Sequence, residues 1–175
     1  MKAGIFVKLL SVLAIHLVMI GLYWAIVSFV LATQDNLSAA VLERTEGDAQ
    51  RIAANIAEVS GAMLSPGIIS ILVGALLACL WLLLVDRRKP IGDKDARSKR
   101  GSWAGLLLVA LVGCGLAFFF LLIGAPVAEM LAANVPLQAM IAALVLLALG
   151  YWVGTGLLVV NSAKVAVPGS RIFGA

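Results

Sequence analysis

Four long runs of apolar residues alternate with polar stretches along the chain, at Leu9–Ala32, Gly67–Val85, Trp103–Gly124 and Leu137–Val160. A helix rising 1.5 Å per residue needs about 20 such residues to cross the hydrocarbon of a bilayer, and each run meets that length. Lipid gives the backbone nothing to hydrogen-bond, so a helix, which satisfies its own groups, is the structure these runs must take. The pattern predicts an all-α fold, an integral membrane four-helix bundle occupying residues 1–175 as a single membrane domain. The first run follows Lys2 and Lys8, and Gln34 and Asp35 come after it. Its apolar length of about 24 residues exceeds the roughly 7–15 of a cleaved secretory leader, so it is expected to stay as an anchor. Ser65 and Pro66 are expected to open the second span as a cap and a first-turn proline.

The polar stretches predict how the chain is threaded. Basic residues collect at the N-terminus (Lys2, Lys8), in the loop 86–102 (Arg87, Arg88, Lys89, Lys94, Arg97, Lys99, Arg100) and in the tail 161–175 (Lys164, Arg171). The segment 33–65 instead sets Arg44 and Arg51 against Asp35, Glu43, Glu46, Asp48 and Glu58, and the turn 125–136 has Glu129 as its one charge. Lys and Arg near span ends stay on the cytoplasmic side, which predicts both termini and the basic loop inside. The segment 33–65 is then extracytoplasmic. Its apolar residues Leu37, Val41, Ile52, Ile56, Val59 and Met63 recur at mostly helical steps, interrupted near Gly47, so one amphipathic helix or two are expected there. Such a helix would lie on the outer surface, pack on a partner, or extend the first span. Pro126 suits the start of a shorter outer helix.

Composition adds exclusions. Hydrophobic residues make up 63% and charged ones 13%, against roughly 45–50% apolar and 25% charged in soluble domains; the mean hydropathy is +1.10. The net charge of +4 concentrates in one loop that threading explains, leaving no case for nucleic acid. Cys79 and Cys114 fall inside apolar runs at similar depth, where small apolar filler is the expected role. His16 is the sole histidine, too few ligands for a multi-histidine metal site or a bis-histidine haem, so no cofactor is expected. No GxSxG, P-loop, HExxH or CxxC pattern occurs, and the acidic cluster Glu43, Glu46, Asp48 has no serine or histidine dyad beside it; the chain is expected not to be an enzyme.

His16 is about 7 residues into the first span, roughly 10 Å along its axis. An ionisable group at that depth is a functional candidate. The expected role is nonetheless structural: a neutral imidazole bonded to a neighbouring helix, together with Tyr23 on the same face. Glu129 is expected in the first turn of the outer helix, where the helix dipole favours a negative charge. Small residues four apart let helices approach closely in lipid, and every span has such a set: Gly21 and Ala25; Ser70, Gly74 and Ala78; Gly113 and Ala117; Gly150 and Gly154. Phe118, Phe119 and Phe120 are expected to face lipid or a partner, and the tail from Pro168-Gly169 to Ile172-Phe173 is a candidate docking peptide. The basic loop would attract anionic lipid at about 1 kcal/mol per residue, or an acidic partner, although threading already accounts for its charge.

The layout of a long first span, an outer helical segment, a helical pair around a basic loop and a short tail resembles that of small accessory proteins of secretion or conjugation machines. That likeness is of architecture only; uniform apolar spans rich in close-packing positions and lacking transport chemistry suit a non-catalytic subunit or assembly factor of a larger bacterial inner-membrane complex. The expected partners are membrane lipids and other membrane subunits. One alternative is a small homo-oligomeric transporter or channel with Ser28, Ser70, Thr155 and His16 along its path. A second is a lipid-acting membrane enzyme built on the acidic cluster.

Overall fold

The computed structural model describes residues 3–32, 49–88, 90–91, 93–124, 134–159 and 161–169. Helix α1 is Ala3–Ala32, α2 Ala49–Arg87, α3 Asp93–Gly124 and α4 Asn134–Leu158, followed by a 3-10 helix at Asn161–Ala166. Each α-helix contains a stretch long and apolar enough to cross a membrane: Gly4–Ala32, Ala57–Arg87, Lys94–Leu121 and Val135–Leu158. The protein is all-helical and multi-pass in character, as the apolar runs require.

Side-chain contacts fix the directions of the helices. Tyr23, late in α1, reaches Met63, early in the apolar part of α2. His16 in α1 lies against Gly150 in the second half of α4. Trp103 near the start of α3 bonds Thr155 near the end of α4. The chain therefore runs up, down, up, down. α2 and α4 touch each other and both remaining helices, and α1 and α3 flank that pair. Burial agrees: 44% of the most apolar stretch of α2 and of α4 is enclosed, against 17% in α1 and α3. Because lipid is as apolar as the core, this bundle is held by close packing and internal hydrogen bonds rather than by a hydrophobic drive.

Three expectations about local structure need correction. Pro66 is inside α2, not at its start, and the helix extends N-terminally to Ala49. The reason is visible in the buried stripe Val59, Met63, Ile71, Ala75 and Ala78, which continues the core past the proline. Ser70 Oγ donates to the Pro66 carbonyl at 2.6 Å, closing the buried hydroxyl on the helix one turn beyond the proline. The part of the expected outer segment from Ala49 onward is thus an extension of the second span, a possibility outside the three expected. The basic loop is mostly helix too: α3 begins at Asp93, where the Asp95 carboxylate accepts the Ile91 N–H at 3.1 Å. Phe118 is fully buried, whereas Phe119 and Phe120 face outward. Three consecutive helical residues span about 200° of arc at 3.6 residues per turn, so they cannot share one face.

The tail begins as a 3-10 helix, Asn161–Ala166. Ala163, Ala166 and Val167 are buried against the bundle, and Gly169 takes a left-handed conformation (φ 72°) after Pro168. The stretch up to Val167 is folded onto its own chain, and Pro168 and Gly169 are exposed beyond it. Lys2, Asp35, Leu37, Val41, Glu43, Arg44, Glu46, Gly47, Asp48, Lys89, Pro126, Glu129, Arg171, Ile172 and Phe173 lie outside the described residues.

Candidate functional site

The inward stripe of α1 is Ile5, Val12, His16, Tyr23 and Val27, spaced at helical steps of four and seven. His16 is 1% exposed. Its Nδ1 lies 2.8 Å from the Val12 carbonyl of the same helix, so that nitrogen carries the proton. The expected bond to a neighbouring helix is not made: Nε2 has no partner among the described residues. Gly150 and Gly154 of α4 form the wall opposite. A Cβ at Gly150 would stand 3.2 Å from His16 Cδ2 and Nε2, and one at Gly154 would stand 3.7 Å from Cε1. The GxxxG pair thus faces a helix of its own chain and takes the imidazole edge-on.

A second close approach joins α1 to α2. The Tyr23 hydroxyl donates to the Met63 carbonyl at 2.7 Å, and the Tyr23 ring fills the space a Cβ would need at Gly67. Gly74 meets Leu147 of α4 in the same manner, with a Cβ contact of 3.1 Å, and Ser70 and Ala78 are buried on that face. By contrast Gly21 and Gly113 have nothing within 4 Å. Ala25 is exposed and Ala117 half-buried. Of the four small-residue sets, those on the central helices pack inside the bundle, and those on the flanking helices do so little or not at all.

The richest chemistry gathers where α2 and α4 end and α3 begins. Trp103 Nε1 donates to Thr155 Oγ1 at 2.9 Å. The Thr155 hydroxyl donates in turn to the Tyr151 carbonyl at 2.7 Å. Tyr151 closes the circuit by donating to the Trp103 carbonyl at 3.2 Å, its ring tilted 56° against the indole at 5.4 Å. Trp152 Nε1 donates to the Pro168 carbonyl at 2.6 Å and Arg100 Nη2 to the Val165 carbonyl at 3.0 Å, which straps the tail to α3 and α4. Trp81 is fully enclosed nearby, its Nε1 without a partner among the described residues.

Sequence reading missed Trp81, Trp103, Tyr151 and Trp152. The available signal was the clustering of Trp and Tyr toward the ends of spans, where amphipathic rings settle at headgroup depth.

The basic residues divide by role. Arg100 is committed to the tail carbonyl. Lys94 and Arg97 are exposed on α3. Arg87, Arg88 and Lys99 line a cleft of about 430 Å³ with Leu84, Val85 and Ser102. Among the described residues no ion pair neutralises these three cations, so the cleft is electropositive beside an apolar wall. Ser102 Oγ is occupied by the Lys99 carbonyl, at 2.8 Å. Elsewhere in the spans, two buried hydroxyls are closed on local partners: Ser70 on Pro66, Thr155 within its circuit. Cys79 and Cys114 are free thiols that pack in different parts of the core, Cys114 beside Tyr23 and Phe118 and Cys79 toward Trp81. Among the described residues no three His, Cys, Asp or Glu side chains converge as a metal site would need.

Comparison with known families, characterised proteins and solved structures finds no match to this chain.

Proposed function

We propose that the chain is a non-catalytic subunit or assembly scaffold of a larger bacterial inner-membrane complex, of the kind found in secretion or conjugation machines, with both termini cytoplasmic. One observation carries the reading. The flanking helices α1 and α3 turn small residues outward, Gly21 with Ala25 on one and Gly105 and Gly113 on the other, and among the described residues no other helix comes within 4 Å of a Cβ built at these glycines. In lipid, backbone left accessible in this way favours the close approach of another helix. The central helices meanwhile spend their own small residues internally, on His16 and Leu147. Polar side chains in the spans serve packing and hydrogen bonding rather than a continuous path, which favours a scaffold over a channel.

The orientation is supported by charge: Lys8, Arg87, Arg88, Lys94, Arg97, Lys99, Arg100 and Lys164 belong to the same end of the up-down bundle, and basic ends are retained inside. Extraction in mild detergent should recover other membrane subunits in fixed stoichiometry. Gly21→Leu and Gly113→Leu should release those subunits while leaving the unfolding temperature of the isolated chain unchanged. Recovery of the wild-type chain alone would sink the proposal.

A further inference from the structure

We propose that the cleft between the end of α2 and the start of α3 is a binding site for the phosphate of an anionic phospholipid headgroup. The inference goes beyond the subunit role and stands whether or not that role holds. Retention of basic residues on one side explains why the segment is cationic, but not why three of its cations converge. Arg87 ends α2, Arg88 follows it directly, Lys99 is in the second turn of α3, and all three line one cleft. Arg100, adjacent to Lys99, is turned away to hold the Val165 carbonyl.

The remaining wall explains why the ligand is a lipid. Leu84 and Val85 continue the apolar run of α2 directly into the cleft. A ligand that satisfies both walls carries a phosphate at one end and acyl chain at the other. The cleft also lies at headgroup depth: it opens at the terminus of the apolar stretch ending at Arg87, near the Trp81 and Trp103 rings. Guanidinium groups suit phosphate oxygens because their planar donors match two oxygens at once, and lysine adds a mobile point charge.

Two variants of equal net charge test the site. Arg88→Gln with Lys99→Gln empties the cleft of two cations; Lys94→Gln with Arg97→Gln removes two cations of the same segment that do not line it. Each purified protein, in a zwitterionic detergent, is titrated with phosphatidylglycerol and with phosphatidylcholine, and bound lipid is counted by native mass spectrometry. Wild type should retain phosphatidylglycerol in preference to phosphatidylcholine. At about fivefold per cleft charge, the cleft pair should weaken that binding roughly 25-fold, and the control pair less than threefold.

Equal losses in the two pairs would show diffuse attraction and overturn the site. So would equal retention of the two lipids by wild type, a measurement that needs no variant to fold. Inorganic phosphate that displaces phosphatidylglycerol at equal concentration would overturn the lipid assignment in favour of a small-anion site.

Discussion

His16 of α1 and Gly150 of α4 lie so close that a single methyl group added at position 150 would stand 3.2 Å from the imidazole. So close an approach of the first and last spans is possible because the glycine has no side chain. Gly150→Ala should therefore leave the bundle less stable than the same change at an open helical glycine, by about 1–3 kcal/mol, the usual cost of overpacking a filled core. Gly21→Ala, on the open face of the same α1, should cost nothing measurable. Thermal unfolding in detergent compares the two, and His16→Ala should recover part of the loss in Gly150→Ala. Equal effects at positions 21 and 150 would contradict the packing described.

Tyr23 and Gly67 make a second such pair, with different chemistry. Tyr23→Phe removes one hydroxyl bond to the Met63 carbonyl and should cost about 0.5–1.5 kcal/mol. Gly67→Ala must displace the whole ring and should cost more than that. A Tyr23→Ala background should reduce the penalty of Gly67→Ala, because the side chain that collides is gone. Additive losses across the double variant would argue against the contact.

The Trp103, Tyr151 and Thr155 circuit should behave as a unit. Thr155→Ala leaves the buried indole N–H of Trp103 without its acceptor and should cost about 1–3 kcal/mol. Trp103→Phe removes the donor as well. The double variant should fall short of the sum by about 0.5–3 kcal/mol, the coupling expected of residues in one hydrogen-bonded network.

Threading can be tested at Ser98, an exposed residue of the basic end. In a background with Cys79 and Cys114 replaced by alanine, Ser98→Cys should resist a membrane-impermeant thiol reagent in sealed right-side-out vesicles and react once they are opened. Labelling of sealed vesicles would reverse the proposed orientation.

The strap between Trp152 and the Pro168 carbonyl predicts a local effect. Trp152→Phe removes the donor of a 2.6 Å bond and should speed protease cleavage near Lys164 while leaving the unfolding of the α-helical bundle nearly unchanged. Unaltered cleavage would mean the tail is held by its buried alanines alone.

The sequence by itself determined that the chain is helical, with four helices long and apolar enough to cross a membrane, because a backbone in lipid has no partner but itself and runs such as Leu9–Ala32 leave it no alternative. It also carried the charge asymmetry, since that is a property of composition along the chain. Tertiary structure alone decided which features of each helix were used. Gly150 and Gly154 look no different in sequence from Gly113 and Ala117, yet one pair receives an imidazole and Gly113 meets nothing within 4 Å. Small-residue spacing is a necessary condition for close approach, and the choice among candidates depends on the rotation of each helix about its axis. That rotation is set by all the contacts at once. For the same reason Pro66 reads as a helix start locally, but the buried stripe through Val59 and Met63 carries the helix past it. The convergence of Arg87, Arg88 and Lys99 is likewise absent from a linear count of charges, because it arises from two helices turning their ends toward one cleft.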